Sequence, residues 1–280
     1  MYAVNEMFGY YTNGPVFPDL SIVLSTQVCP FNRSGICTKM RKSDPDTKIG
    51  TCSLVFNTCE QPLLICPDRL TEGKKIFLDC LQYVHVTGGE LYLIPEVKTA
   101  VGSIDYVLAV VNGDKVQDFV AIELQTMDTV GTIWDERQNM LADYELADHV
   151  VSRGRKAGVN WKMTAKTILA QMIQKTQMFA GMNRKLVLIC QTPLLDYMQE
   201  NFDFSEVHQQ RSTDVFNLHA YDYLSSETKM ELTLARQLGA DLAGVERIMG
   251  ADVNSNHELE VINARILERA TPEYRFNLFE

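Results

Sequence analysis

The stretch IDYVLAVVNGDKVQDFVAIELQ, Ile104 to Gln125, decides the fold class of this 280-residue chain. Val107 to Val111 and Phe119 to Ile122 are short apolar runs rich in β-branched residues, with Asn112-Gly113 between them. Asn-Gly in that setting predicts a tight hairpin, because both residues accept the positive φ of a type I′ turn. An antiparallel hairpin brings its two strand ends side by side. Asp105 and Glu123 are therefore expected to approach one another, although seventeen residues separate them. Two converging carboxylates repel, and they coexist ionised mainly around a divalent cation. Glu123 also sits in Phe119-Val120-Ala121-Ile122-Glu123-Leu124-Gln125, a run of buried-strand character in which an uncompensated charge is costly. Asp, hairpin, then Glu-x-Gln reads as a magnesium site suited to phosphodiester cleavage. Solvated ends of two ordinary surface strands are the alternative.

Working outward, three strands are expected over 90–98, 104–111 and 116–126, preceded by an amphipathic helix over 69–84 and a Gly88-Gly89 turn. A polar loop over 127–158 holds a short helix near 135–147. The helix expected over 160–181 has an apolar face of Ala165, Ile168, Leu169, Met172, Ile173, Thr176 and Phe179. A strand over 184–190, a helix over 193–202, a strand over 215–223 and helices over 227–238, 242–249 and 257–268 follow. This order predicts an α/β fold, a mixed sheet flanked by helices.

The chain is 46% apolar and 22% charged, the composition of a well-packed globular protein. No run has the length of a membrane span and the N-terminus lacks a basic start before an apolar stretch, so a cytoplasmic protein is expected. The net charge of −10 is unevenly spread. Residues 1–150 and 191–280 each carry −9, while residues 151–190 carry eight basic and no acidic side chains. Such a segment makes a local positive surface in an acidic molecule, and Arg153, Arg155 and Lys156 are its candidate DNA contacts. A basic helix facing solvent is the competing reading.

Residues 1–66 are turn-rich and hold five of the seven cysteines, Cys29, Cys37, Cys52, Cys59 and Cys66. The segment reads as an irregular module, residues 1–68, held by something other than a hydrophobic core and followed by a larger domain over 69–280. Four thiolates from loops make a tetrahedral metal site, with five unpaired thiols in a small core as the alternative, and spacing alone leaves open which four. Cys80 and Cys190 read as small buried apolar residues. The five histidines stand singly, and no nucleotide-binding loop or nucleophile-elbow motif is present.

The succession Cys29-Pro30-Phe31, Cys37-Thr38-Lys39, Gly50-Thr51-Cys52, Ile65-Cys66-Pro67-Asp68-Arg69, Gly88-Gly89-Glu90-Leu91, Asp105 and Ile122-Glu123-Leu124-Gln125-Thr126-Met127-Asp128 closely resembles NotI-type restriction endonucleases. The likeness runs through about the first 130 residues and continues more weakly to Lys166, Gln171, Met172 and Lys175. It implies a type II enzyme with a PD-(D/E)xK nuclease core, dependent on magnesium and acting as a homodimer on double-stranded DNA. It further implies a cognate DNA methyltransferase for the same site. In that family glutamine replaces the motif lysine, as Gln125 does here. Its structural metal site maps onto Cys29, Cys37, Cys52 and Cys66, holding iron or zinc in a module that lies against DNA and leaving Cys59 spare. Lys39, Arg41 and Lys42 of that module are then expected to contact DNA. The chain is short for the family, and its last ninety residues carry no shared motif.

Gln125 brings an amide where an ammonium would stabilise charge, so that work passes to metal ions or to a cation from elsewhere. Lys162 and Lys166 lie on or beside the apolar side of their helix, and one of them is the candidate to reach the active site or the scissile phosphate; both snorkelling outward to solvent is the alternative. Glu96, in the string Glu96-x-Lys98, is expected as a nearby carboxylate or second metal ligand. Two rivals to a restriction enzyme remain: a structure-specific or repair nuclease of the same fold, and a catalytically inactive metal-stabilised DNA-binding protein.

Overall fold

A computed structural model of the chain describes residues 3–13, 19–41, 44–131, 133–150, 157–226, 229–250 and 262–265. Its strands up to residue 124 are β1 Val4–Met7, β2 Tyr10–Tyr11, β3 Met40–Arg41, β4 Asp44–Lys48, β5 Thr51–Leu54, β6 Leu63–Leu64, β7 Glu90–Thr99, β8 Gly102–Asn112 and β9 Lys115–Leu124. Then come β10 Thr129–Val130, β11 Gly158–Val159, β12 Lys185–Gln191, β13 His208–Gln209, β14 Phe216–Ser225 and β15 Met230–Ala240. The helices are α1 Leu20–Thr26, α2 Lys75–Asp79, α3 Trp134–Ala142, α4 Trp161–Gly181, α5 Thr192–Asn201 and α6 Leu242–Ile248.

Seven strands form one mixed sheet in the order β13-β15-β14-β12-β9-β8-β7. The meander β7–β8–β9 is antiparallel. β12 runs parallel to β9 on one side and to β14 on the other. Parallel neighbours cannot share a tight turn, so α4 and α5 serve as the crossovers into β12 and β14. α4 starts at Asn160, whose side chain accepts the Met163 N–H, and it buries Ala165, Ile168, Leu169, Met172 and Phe179. That face packs with Val107, Ala109, Ala121, Leu186 and Leu188 of the sheet. Each fully buried leucine or isoleucine contributes roughly 2 kcal/mol of transfer free energy. The opposite sheet face, with Leu108, Val110, Val120, Ile122, Val187 and Ile189, is covered by Leu70, Ile76, Phe77 and Tyr83. The expected mixed α/β sheet flanked by helices is thus observed, and Cys80 and Cys190 lie buried in its two cores.

Several local expectations need correction. The hairpin loop is Gly113-Asp114, closed by the Asn112–Lys115 pair. Gly113 has φ +61° and Asp114 does not have positive φ, which fits glycine at the first position of a type II′ loop and not a type I′ turn on Asn112. Of the segment expected as a helix over 227–238, residues 230–238 belong to strand β15, which is paired along its length with β14. Leu, Ala, Arg and Gln favour a helix locally, but β14 offers an open edge, and Met230 and Leu232 enter the core when β15 fills it. The helix over 69–84 is broken. Glu72 and Gly73 depart from helical geometry, leaving 3-10 turns at Pro67–Lys74 and Cys80–Tyr83 around the short α2. Of the helix expected over 257–268, residues 262–265 are described and helical; the others lie outside the described residues.

The N-terminal segment is more ordered than its proline content predicts. β2, β1, β5 and β6 form a four-stranded sheet. Val4, Met7, Phe8, Leu20, Val23, Leu54 and Ile65 build an apolar cluster of its own, with Met140 and Leu141 of α3. Gly50 holds φ +70°, and a Cβ there would stand 2.2 Å from the Phe8 ring, so this turn admits no larger residue without repacking.

Candidate active site

The meander register decides which acidic residues meet. β8 pairs with β9 through Tyr106–Ile122 and Val107–Ala121, which places Asp105 opposite Glu123. β7 pairs with β8 through Pro95–Tyr106 and Val97–Ile104, which places Glu96 opposite Asp105. Glu96, Asp105 and Glu123 therefore stand in one row across three strands, and the row continues to Leu188 of β12. The Glu96–Asp105 pair is the one the β7–β8 ladder skips, and Glu96 there has φ +53°. Positive φ in a non-glycine strand residue is uncommon and costs about 1–3 kcal/mol.

Glu123 is 4% exposed, Asp105 is half-buried and Glu96 is exposed. Burial pushes the Glu123 carboxyl up to about 7, against the Lys175 hydrogen bond that lowers it and with the Asp105 charge that raises it further. Burial likewise raises Asp105, opposed by the Leu124 N–H and by Lys175 and reinforced by Glu96. Asp105 Oδ2 accepts that Leu124 N–H at 2.8 Å, a bond that locks the carboxylate to the neighbouring strand.

The cation that meets this row comes from α4. Lys175 Nζ lies 2.6 Å from Glu123 Oε1 and donates to the Ser103 carbonyl at 2.8 Å. Lys175 is only 4% exposed. The expected helix is therefore the right one, but Lys162 and Lys166 are exposed on its outer face. Position 175 was legible as a lysine three residues after Met172 and four before Phe179, inside the apolar arc. This ion pair also corrects the argument that Glu123 needs a metal to be buried, because Lys175 supplies the opposing charge. Gln125 follows the end of β9; its N–H bonds the Ile189 carbonyl and its side-chain amide donates to Thr126 O at 2.6 Å.

Neither a protein-family model nor any curated protein sequence matches this chain. The resemblance to NotI-type endonucleases thus stands on the quoted motifs alone.

Among the described residues no three His, Cys, Asp or Glu side chains converge to hold a metal ion. Magnesium does not demand three, being commonly held by one or two carboxylates with phosphate oxygens and water. Asp105 and Glu123 meet that requirement. A four-thiolate site is different, since it needs all of its ligands from the protein. Cys29, Cys37, Cys52 and Cys66 are all buried. Cys37 adds to the charge felt by Cys29 and Cys66, and Cys66 to that felt by Cys52. Burial, the larger cause, pushes Cys66 up to about 11 and raises Cys29 and Cys52 as well. The thiols lie near one another, and among the described residues no three of them converge in a metal-holding arrangement. Cys59 stands apart, half-buried beside Thr58.

The proposed DNA contacts are placed only in part. Lys39 Nζ turns inward to the Ile65 carbonyl. The Arg41 guanidinium lies 4.3 Å from the Trp134 ring centroid, with Arg137 4.8 Å from the same ring. Lys42, Arg153, Arg155 and Lys156 lie outside the described residues.

Proposed function

We propose that this chain is a magnesium-dependent, site-specific deoxyribonuclease of the type II restriction kind, with a PD-(D/E)xK core. The observation that carries the reading is the row Glu96–Asp105–Glu123 with Lys175 at its buried end. Three carboxylates against one ammonium leave an excess of two negative charges, which one divalent cation neutralises. The strained backbone of Glu96 at the same level supports a functional rather than a structural row.

In this reading Asp105 and Glu123 hold the cation, and Glu96 adds charge from the strand edge. When bound, the cation supplies an acidified water and a counter-charge for the phosphate. Gln125, once its amide turns from Thr126, orients the attacking water or a phosphate oxygen by hydrogen bonding, since it has no charge to offer. Cleavage leaves 5′-phosphate and 3′-hydroxyl ends. A two-fold homodimer suits a palindromic double-stranded site and cuts both strands. A methyltransferase acting on the same sequence belongs to the proposal, because host DNA would otherwise be cut. No helix among the described residues is long and apolar enough to cross a membrane.

The Lys175–Glu123 pair favours one rival, a silent DNA-binding protein, because it neutralises Glu123 without a metal. Incubation with sequenced phage DNA and magnesium decides between them. Discrete fragments that vanish with chelator are expected. Scattered nicks point to a repair or structure-specific nuclease, and binding without any cleavage in magnesium or manganese overturns the enzyme.

A further inference from the structure

Lys175 does two things at once. Its ammonium pairs with Glu123 of β9 at 2.6 Å and donates to Ser103 O of β8 at 2.8 Å, so one side chain from α4 ties together the two strands that bear the carboxylates. Both charged side chains are nearly excluded from water, at 5% and 6% exposure. A lysine carried this far into a core needs a fixed partner, since an unpaired ammonium there would be strongly unfavourable. An ammonium and a divalent cation are alternatives at a carboxylate: each neutralises it and each takes up its oxygen lone pairs. Ser103 O supplies Lys175 with a second acceptor that needs no negative charge, so the ammonium keeps a hydrogen bond when Glu123 turns away.

We propose that Lys175 is a positioning residue serving as the resident counter-ion of the carboxylate row: it holds Glu123 while no divalent cation is bound and yields it when one arrives. This rests on the cation-binding reading of Asp105 and Glu123 given above. It has a functional consequence. A cation must displace an existing ion pair, so the protein alone binds it weakly. The phosphate oxygens of DNA are then needed to complete the coordination, and metal loading becomes coupled to substrate.

The test uses the full chain without DNA. Calcium binding is followed by isothermal titration, and Tm is read with and without millimolar calcium, for the wild type, Lys175→Met and Lys175→Arg. Removing the ammonium leaves Glu123 buried and unpaired, so Lys175→Met is expected to lose on the order of 10 °C in Tm without calcium. Calcium should restore most of that loss and bind about tenfold tighter than to the wild type, the competing cation being gone. Lys175→Arg, with a guanidinium that grips a carboxylate at two points, should keep the wild-type Tm and bind calcium about tenfold more weakly. Equal calcium affinity in the wild type and Lys175→Arg overturns the inference even if Lys175→Met does not fold. So does a Lys175→Met protein whose Tm loss is the same with calcium as without. Absence of calcium binding in all three proteins sinks instead the cation site itself.

Discussion

Arg69 Nε lies 2.7 Å from Glu6 Oε2, and both side chains are buried. Glu6 belongs to β1 of the N-terminal sheet, whereas Arg69 also donates to the Met230 carbonyl at the start of β15. Tyr223 of β14 donates to the same Glu6 oxygen at 2.7 Å. This network fastens the cysteine-bearing segment to the far half of the large sheet. Arg69→Met strands a buried carboxylate and should cost about 3–5 kcal/mol in urea denaturation. The double variant with Glu6→Leu should recover part of that loss. A cost below about 1 kcal/mol for Arg69→Met would show that the pair is dispensable.

The carboxylate row gives the sharpest functional expectation. Asp105→Asn and Glu123→Gln should each reduce cleavage by about 10³-fold or more, with circular dichroism checking the fold and Glu123→Gln lowering Tm because Lys175 loses its charged partner. Gln125→Ala, which removes no charge, should keep more activity than either. Lys162→Ala and Lys166→Ala remove exposed side chains and should stay within about twofold of the wild type unless they touch DNA phosphates. Near-normal cleavage by Asp105→Asn would dismiss this site.

His219 sets a pH dependence remote from the row. Its ring is fully buried, with Nε2 2.7 Å from the Tyr83 hydroxyl, and burial lowers its pKa to about 4. In the unfolded chain it titrates near 6.5. Between those values the unfolded chain binds a proton that the folded one does not, so stability falls as pH drops from about 6.5 towards 4. The loss should reach roughly 3 kcal/mol. His219→Gln should flatten this part of the stability profile measured by urea denaturation. An unchanged slope would place the titration elsewhere.

The basic segment should carry phosphate contacts. Replacing Arg153, Arg155 and Lys156 together with Ala should weaken binding to all DNA sequences and reduce the salt slope by up to about three, one per contact. Filter binding over a range of salt concentrations reads this directly. An unaltered slope would mean that the segment faces solvent.

The sequence by itself determined the meander, the meeting of Asp105 with Glu123 and the extent of α4, because each is written in local patterns. Short apolar, β-branched runs around an Asn-Gly pair set a hairpin, and an apolar face recurring every 3.6 residues sets a helix. Even the buried place of Lys175 was implicit in the arc of Met172 and Phe179. That this lysine, and not Lys162 or Lys166, meets Glu123 was decided by how α4 lies on β9 and β12. The change of residues 230–238 from a helical pattern to part of β15 was decided by the free edge of β14. Lys39 was drawn inward by a carbonyl twenty-six residues away, which no spacing reveals. Short-range order follows from neighbours along the chain, whereas the partner of a buried charge is set by which elements pack together, and only the folded sheet brings those elements into contact.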